Sequence, residues 1–230
     1  MGTLASAPSE PYQESLQSHQ AFALKLEGDR LYDASRPREA LRSYEKALEY
    51  HDVFVDAGAA WGAAAAYEAL GEYEAAVRAY DISIKSRRDA LPVFERAQAL
   101  RQLHRWGEAR EGYLEAADRF NMEYRDKRRA EASRAQAAFC AFEFGDVALA
   151  ESELERMSRR IVSSDLYVAH ATVLYAAGDR SKAESVYSDA CELPNAQCGH
   201  YRDGDTQWLL EYRRWTPKLV SALDDFINLR

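Results

Sequence analysis

The residues best suited to chemistry in this chain are its three cysteines and five histidines. Cys191, Cys198, His200 and Asp203 fall within one short stretch, and thiolate with imidazole is a zinc ligand set. The two cysteines are separated by six residues, which is not a zinc-finger spacing, and Cys191 closes a helical run. The pair therefore reads as structural: reduced by default, bridged in an oxidising compartment. Cys140 lies in a strongly helical stretch and reads as a small core residue. The histidines, at 19, 51, 104, 170 and 200, are scattered, and none has a second ligand at helical spacing. There is no Walker loop, Gly-x-Gly-x-x-Gly, Gly-x-Ser-x-Gly, His-Glu-x-x-His or Cys-x-x-Cys. Carboxylates such as Glu72, Glu74 and Glu108 recur on the solvent side of helical patterns. The expectation is a protein without catalytic residues, metal or cofactor, and not an enzyme.

Charge and hydropathy narrow the partners. The net charge is −8, which disfavours nucleic acid, since phosphate contacts need clustered cations. One basic run stands out, Arg125 to Arg129, and reads as a solvated helix start or as a contact for an acidic partner. The longest apolar run, Ala57 to Tyr67, has eleven residues between Asp56 and Glu68, too short to cross a bilayer. Ala5-Ser6-Ala7 resembles a cleavage site but lacks an apolar region before it. Residues 1–18 are expected to form a flexible polar tail, with the remnant of a removed presequence as the alternative. The default compartment is the cytoplasm, and the protein is expected to be soluble.

The elements that would position any site are helices. Hydrophobic residues make up 47% of the chain, alanine is abundant, and only six prolines and eleven glycines occur. An alanine is followed four residues later by a large apolar side chain and three later by a small or apolar one, at Ala40, Ala76, Ala109, Ala150 and Ala183. The gaps are 36, 33, 41 and 33 residues. Alanine at the closest approach of two helices lets their backbones come near, and an aromatic one turn on fills the next gap on the same face. The turns Leu70-Gly71-Glu72, Phe144-Gly145-Asp146 and Ala177-Gly178-Asp179 precede second helices and offer left-handed glycine caps. The long gap exceeds 34 by seven residues, about two helical turns, and its insertion falls at 121–129. Residues 194–206 read as loop, and 207–214 and 217–230 as a closing helical pair, with Thr216 as cap and Pro217 in the first turn.

With this period the chain resembles the tetratricopeptide repeat family, from about residue 21 to 190. Gly28, Ala64, Ala97, Ala138 and Ala171 stand where the family has the small residue of its first helices; its Trp and Pro positions are mostly absent. The resemblance implies an all-α, right-handed superhelix of about five helix pairs over residues 19–230, closed by a C-terminal capping pair at about 207–230. It also implies that first helices line a concave groove, here through Lys25, Asp29 and Tyr32; Trp61, Ala65 and Glu68; Phe94, Gln98 and Arg101; Ala135, Phe139 and Phe142; Val168, Thr172 and Tyr175. The partner-binding candidates are Lys25, Tyr32, Trp61, Phe94, Arg101, Phe139, Phe142 and Tyr175, although aromatics at this spacing also suit a core. Family members that clamp a chaperone's terminal carboxylate use Lys and Asn with further cations. Here Lys25 matches, while Asp29, Gly62, Leu91 and Glu95 replace the rest, so the Hsp70 or Hsp90 tail is not an expected ligand. The segment Arg213 to Val220 is similar to the close of some plastid and cyanobacterial members, which implies a plastid setting, stroma or thylakoid lumen, as the alternative to the cytoplasm. The function expected is a non-catalytic adaptor or assembly factor that holds a protein or peptide segment in the groove. The alternative is a structural subunit bound through its convex face or ends.

Overall fold

The computed structural model describes residues 10–87, 89–193, 196, 198–202 and 205–228. Among these residues there are thirteen helices and no strand. They are α1 (Glu10–Asp33), α2 (Pro37–Leu48), α3 (Val53–Ala69), α4 (Tyr73–Ser86), α5 (Ala90–Gln102), α6 (Trp106–Met122), α7 (Lys127–Glu143), α8 (Val147–Ser158), α9 (Ser164–Ala176), α10 (Arg180–Glu192), α11 (Cys198–Arg202), α12 (Thr206–Glu211) and α13 (Pro217–Asn228). The chain forms two compact units, residues 1–103 and 104–230. In the first, α1 to α4 each pack on the next helix, and α1 also touches α3. In the second, α6 to α9 do the same, and α13 packs on α9 and α7.

The repeat register is that of the sequence. Ala40, Ala76, Ala109, Ala150 and Ala183 expose no surface, nor do Ala64, Ala97, Ala138 and Ala171. The large residues that follow the first set, Tyr44, Tyr80, Tyr113, Leu154 and Tyr187, are all buried. Around Tyr44 the fit is closest: a Cβ added to Gly28 or Gly62 would lie 2.5 or 2.4 Å from its side chain. Those two glycines let one tyrosine ring lie against both α1 and α3. Gly71, Gly145 and Gly178 have φ of 75°, 98° and 93°, the left-handed turn expected before the second helices. In the corresponding turns after α1 and α5, Ser35 and His104 hold the same conformation at φ 57°.

The long gap is taken up by helix length. Both α6 and α7 have 17 residues, against 12 in α8. Asp126 starts α7 by accepting the Arg129 N–H at 3.0 Å.

Three expectations change at the termini. Helix α1 already runs from Glu10, so the segment expected as a tail is helical over residues 10–18; residues 1–9 lie outside the described residues. The segment expected as loop at 194–206 contains α11, because Tyr201 on it is fully buried and donates its hydroxyl to Asp165 Oδ1 at 2.8 Å. The expected Thr216 cap is not made: its Oγ1 is buried without a hydrogen-bond partner. The Lys218 N–H of α13 goes instead to Glu143 Oε1 at the end of α7, at 2.7 Å.

Candidate protein-binding groove

Helices α1, α3 and α5 of the first unit leave a cleft of about 600 Å³. On α1 the residues Phe22, Lys25, Asp29 and Tyr32 share one face at spacings of three and four, and all four line it. Trp61 and Ala65 of α3 and Glu95 of α5 complete the middle. Polar contacts hold these side chains in place. Lys25 Nζ donates to Asp29 Oδ2 at 2.6 Å, and Tyr44 donates its hydroxyl to Asp29 Oδ1 at 2.9 Å. Trp61 Nε1 donates to Glu95, and the Tyr80 hydroxyl donates to Glu68 Oε2 at 3.0 Å. Burial, reinforced by the charges of Glu68 and Glu95, pushes the Tyr80 hydroxyl well above the usual phenol range. Tyr32 is raised by the same causes in the same order and keeps 37% of its surface exposed.

The sequence-derived candidates divide between the units. Lys25, Tyr32 and Trp61 line the cleft. Phe94 and Arg101 are half-buried on α5 and do not line it. Phe139, Phe142 and Tyr175 are in the second unit, on the first-helix face of α7 and α9, and the chain itself covers them. Phe139 lies 5.9 Å from the Trp215 ring and Tyr175 5.1 Å from the Phe226 ring, centroid to centroid. Lys218 Nζ stands 5.0 Å over the Phe142 ring and donates to the Phe142 carbonyl at 2.9 Å. Phe139 and Phe142 are 1% and 2% exposed, which makes them core in this structure.

What sequence reasoning missed is therefore the occupant, α13, and one wall residue, Phe22. The signal for Phe22 was present, three residues before Lys25 on the same helical face. The signal for α13 was its own amphipathic pattern, which buries Leu219, Val220, Leu223 and Phe226. Between α11 and α13 a partly buried carboxylate secures the arrangement: Asp165 Oδ1 accepts from the Tyr201 hydroxyl and from Trp215 Nε1 at 3.1 Å, with Arg213 Nε also at 3.1 Å.

The cysteine cluster resolves into structure. Cys191 and Cys198 are bridged, with Cα atoms 5.5 Å apart, rather than the reduced pair expected by default. His200 stacks on Trp208 at 4.7 Å and meets Asp205 at 3.2 Å; Asp203 lies outside the described residues. Among the described residues no group of three or more His, Cys, Asp or Glu is placed to hold a metal ion, and no helix is long and apolar enough to cross a membrane.

Stacked helix pairs in which a buried alanine recurs in register define a helical-repeat protein. Residues 25–90 match the model of the tetratricopeptide repeat. No curated protein matches the chain in sequence. Its fold is shared by YrrB, described as a tetratricopeptide protein with an unusual peptide-binding site, at 18% identity and TM-score 0.64, over 85% of this chain and 95% of that one. MamA of Desulfovibrio magneticus RS-1 is similar at 16% identity and TM-score 0.60, over 77% and 97% of the two chains. PilF of Pseudomonas aeruginosa is similar at 18% identity and TM-score 0.56, over 93% of both chains.

Proposed function

We propose that this protein is a non-catalytic adaptor that holds a segment of another protein in the cleft of α1, α3 and α5. The observation that carries the reading is the contrast between the units: the first-helix face is an open, aromatic-walled cleft in the first, and is filled by α13 in the second. Tyr32, Trp61 and Phe22 offer apolar contact area, and Lys25, Asp29 and Glu95 are hydrogen-bonded to other residues lining it. Interface energy concentrates in such aromatic anchors. A peptide-binding site is described for YrrB, which shares the fold, and this supports the reading by analogy. A carboxylate-terminal chaperone tail is not the ligand: Lys25 is already paired with Asp29, and Glu95 stands where a cation would be needed.

The test is capture of partners from the native source on immobilised protein, with Trp61→Ala and Tyr32→Ala beside the wild type. The partner bound by wild type should be lost from both variants while their thermal melts stay within a few degrees. Capture that survives in stably folded variants would transfer the function to the structural-subunit reading. One observation favours that second reading: in the second unit the first-helix face of α7 and α9 is covered by α13, so contacts there fall on other surfaces.

A further inference from the structure

The second unit carries another cleft, on a different set of helices. It is bounded by α6, α7 and α8, has a volume of about 510 Å³, and is separate from the face that α13 covers. Leu114, Met157 and Ile161 give it an apolar floor. Asn121, in the last turn of α6 where the 41-residue spacing departs from the regular period, forms one wall.

The charges of this cleft are unequal. Arg134 is engaged by Asp118 at 3.0 Å, and Glu153 Oε1 by Arg110 at 2.6 Å. Arg156 and Arg160, one turn apart on the α8 side, are exposed and have no ion-pair or hydrogen-bond partner among the described residues. Lys127 and Arg128, one turn before Glu131 on α7, are likewise exposed and unpartnered there. Against Arg156 and Arg160 the cleft wall sets one such carboxylate, Glu131. The second oxygen of Glu153, buried at the cleft, accepts no hydrogen bond. On a chain of net charge −8 this is a local excess of positive charge beside an apolar floor and a waiting acceptor.

We propose that this cleft docks an acidic segment of a partner protein that also carries large apolar side chains. Asp or Glu side chains of the segment meet Arg156 and Arg160, where planar guanidinium groups take carboxylates bidentately. A Leu or Phe side chain of the segment covers Leu114, Met157 and Ile161. A backbone N–H of the same segment donates to Glu153 Oε2.

Panning a random peptide library displayed on phage against the full-length protein tests this, followed by binding of the selected peptides in solution. The selected peptides should pair acidic with apolar residues. The double variant Arg156→Glu/Arg160→Glu should bind them about tenfold more weakly or worse, and Arg156→Gln/Arg160→Gln should lie between. Binding should fall with added salt and be unchanged in Trp61→Ala, which separates this cleft from the groove of α1, α3 and α5. Circular dichroism confirms that each variant is folded. Peptides without acidic enrichment overturn the proposal, as do peptides that bind both arginine variants like wild type. Self-association in sedimentation that the arginine reversals abolish also overturns it, by assigning the cleft to a second copy of the chain.

Discussion

At the scale of single residues, close approach decides more than propensity. Replacing Gly62 by Ala would gain up to about 1 kcal/mol in helix propensity. The new methyl, however, would sit 2.4 Å from the Tyr44 ring, which is 2% exposed and hydrogen-bonded through its hydroxyl to Asp29. Overpacking of this kind costs about 1–3 kcal/mol, so Gly62→Ala should lower the urea midpoint. His170 offers a pH test. It is 3% exposed, its Nε2 has no partner, and burial, with Lys182 next, lowers its pKa to about 4. Glu155 opposes this and Arg159 adds to it. The unfolded chain therefore takes up this proton first, and stability should fall as pH drops from about 6.5 to about 4, by roughly 3 kcal/mol at most. Urea midpoints across that window should decline less steeply in His170→Phe than in wild type.

At the scale of elements, the turns between helices carry the clearest local signal. Ser35 adopts φ 57° where three other turns have glycine. A left-handed residue with a Cβ is disfavoured by about 1–2 kcal/mol, so Ser35→Gly should raise the melting temperature. Helix α13 should behave as core: Phe226, 2% exposed between Tyr175 at 5.1 Å and Tyr187 at 5.5 Å, should cost about 3–5 kcal/mol on truncation to Ala. The helices themselves were legible in the sequence because the alanine-plus-tyrosine pattern is local and recurs in phase. Which first-helix aromatics face solvent was not legible. Phe139 and Trp61 both fall on the expected groove face, and the difference lies in Trp215, seventy-six residues along the chain from Phe139, whose contact no local period announces. For the same reason the sequence placed Lys25, Tyr32 and Trp61 on the cleft, while it could not say that α13 covers Phe142 and Tyr175.

At the scale of the whole molecule, a repeat architecture keeps stability local, since each helix pair depends chiefly on its neighbours. The Gly62→Ala substitution should therefore speed amide exchange in residues 10–103 far more than in residues 150–228. Equal acceleration across both ranges would show that the chain unfolds as one cooperative block. Substitutions around Asp165, whose carboxylate joins α9 to Tyr201 and Trp215, should have the opposite distribution.

On the proposed reading, the restriction of the open cleft to three first helices sets the length of the segment it can hold. Neighbouring helix axes lie about 8–10 Å apart, so a strand laid across α1, α3 and α5 crosses about 20 Å, the reach of roughly six extended residues. A footprint that short has the dimensions of a linear motif, and contacts of that size turn over quickly. On the proposed adaptor reading this cleft gives a brief, exchangeable hold on one motif, with long residence available only when a second contact on the same partner raises the effective concentration.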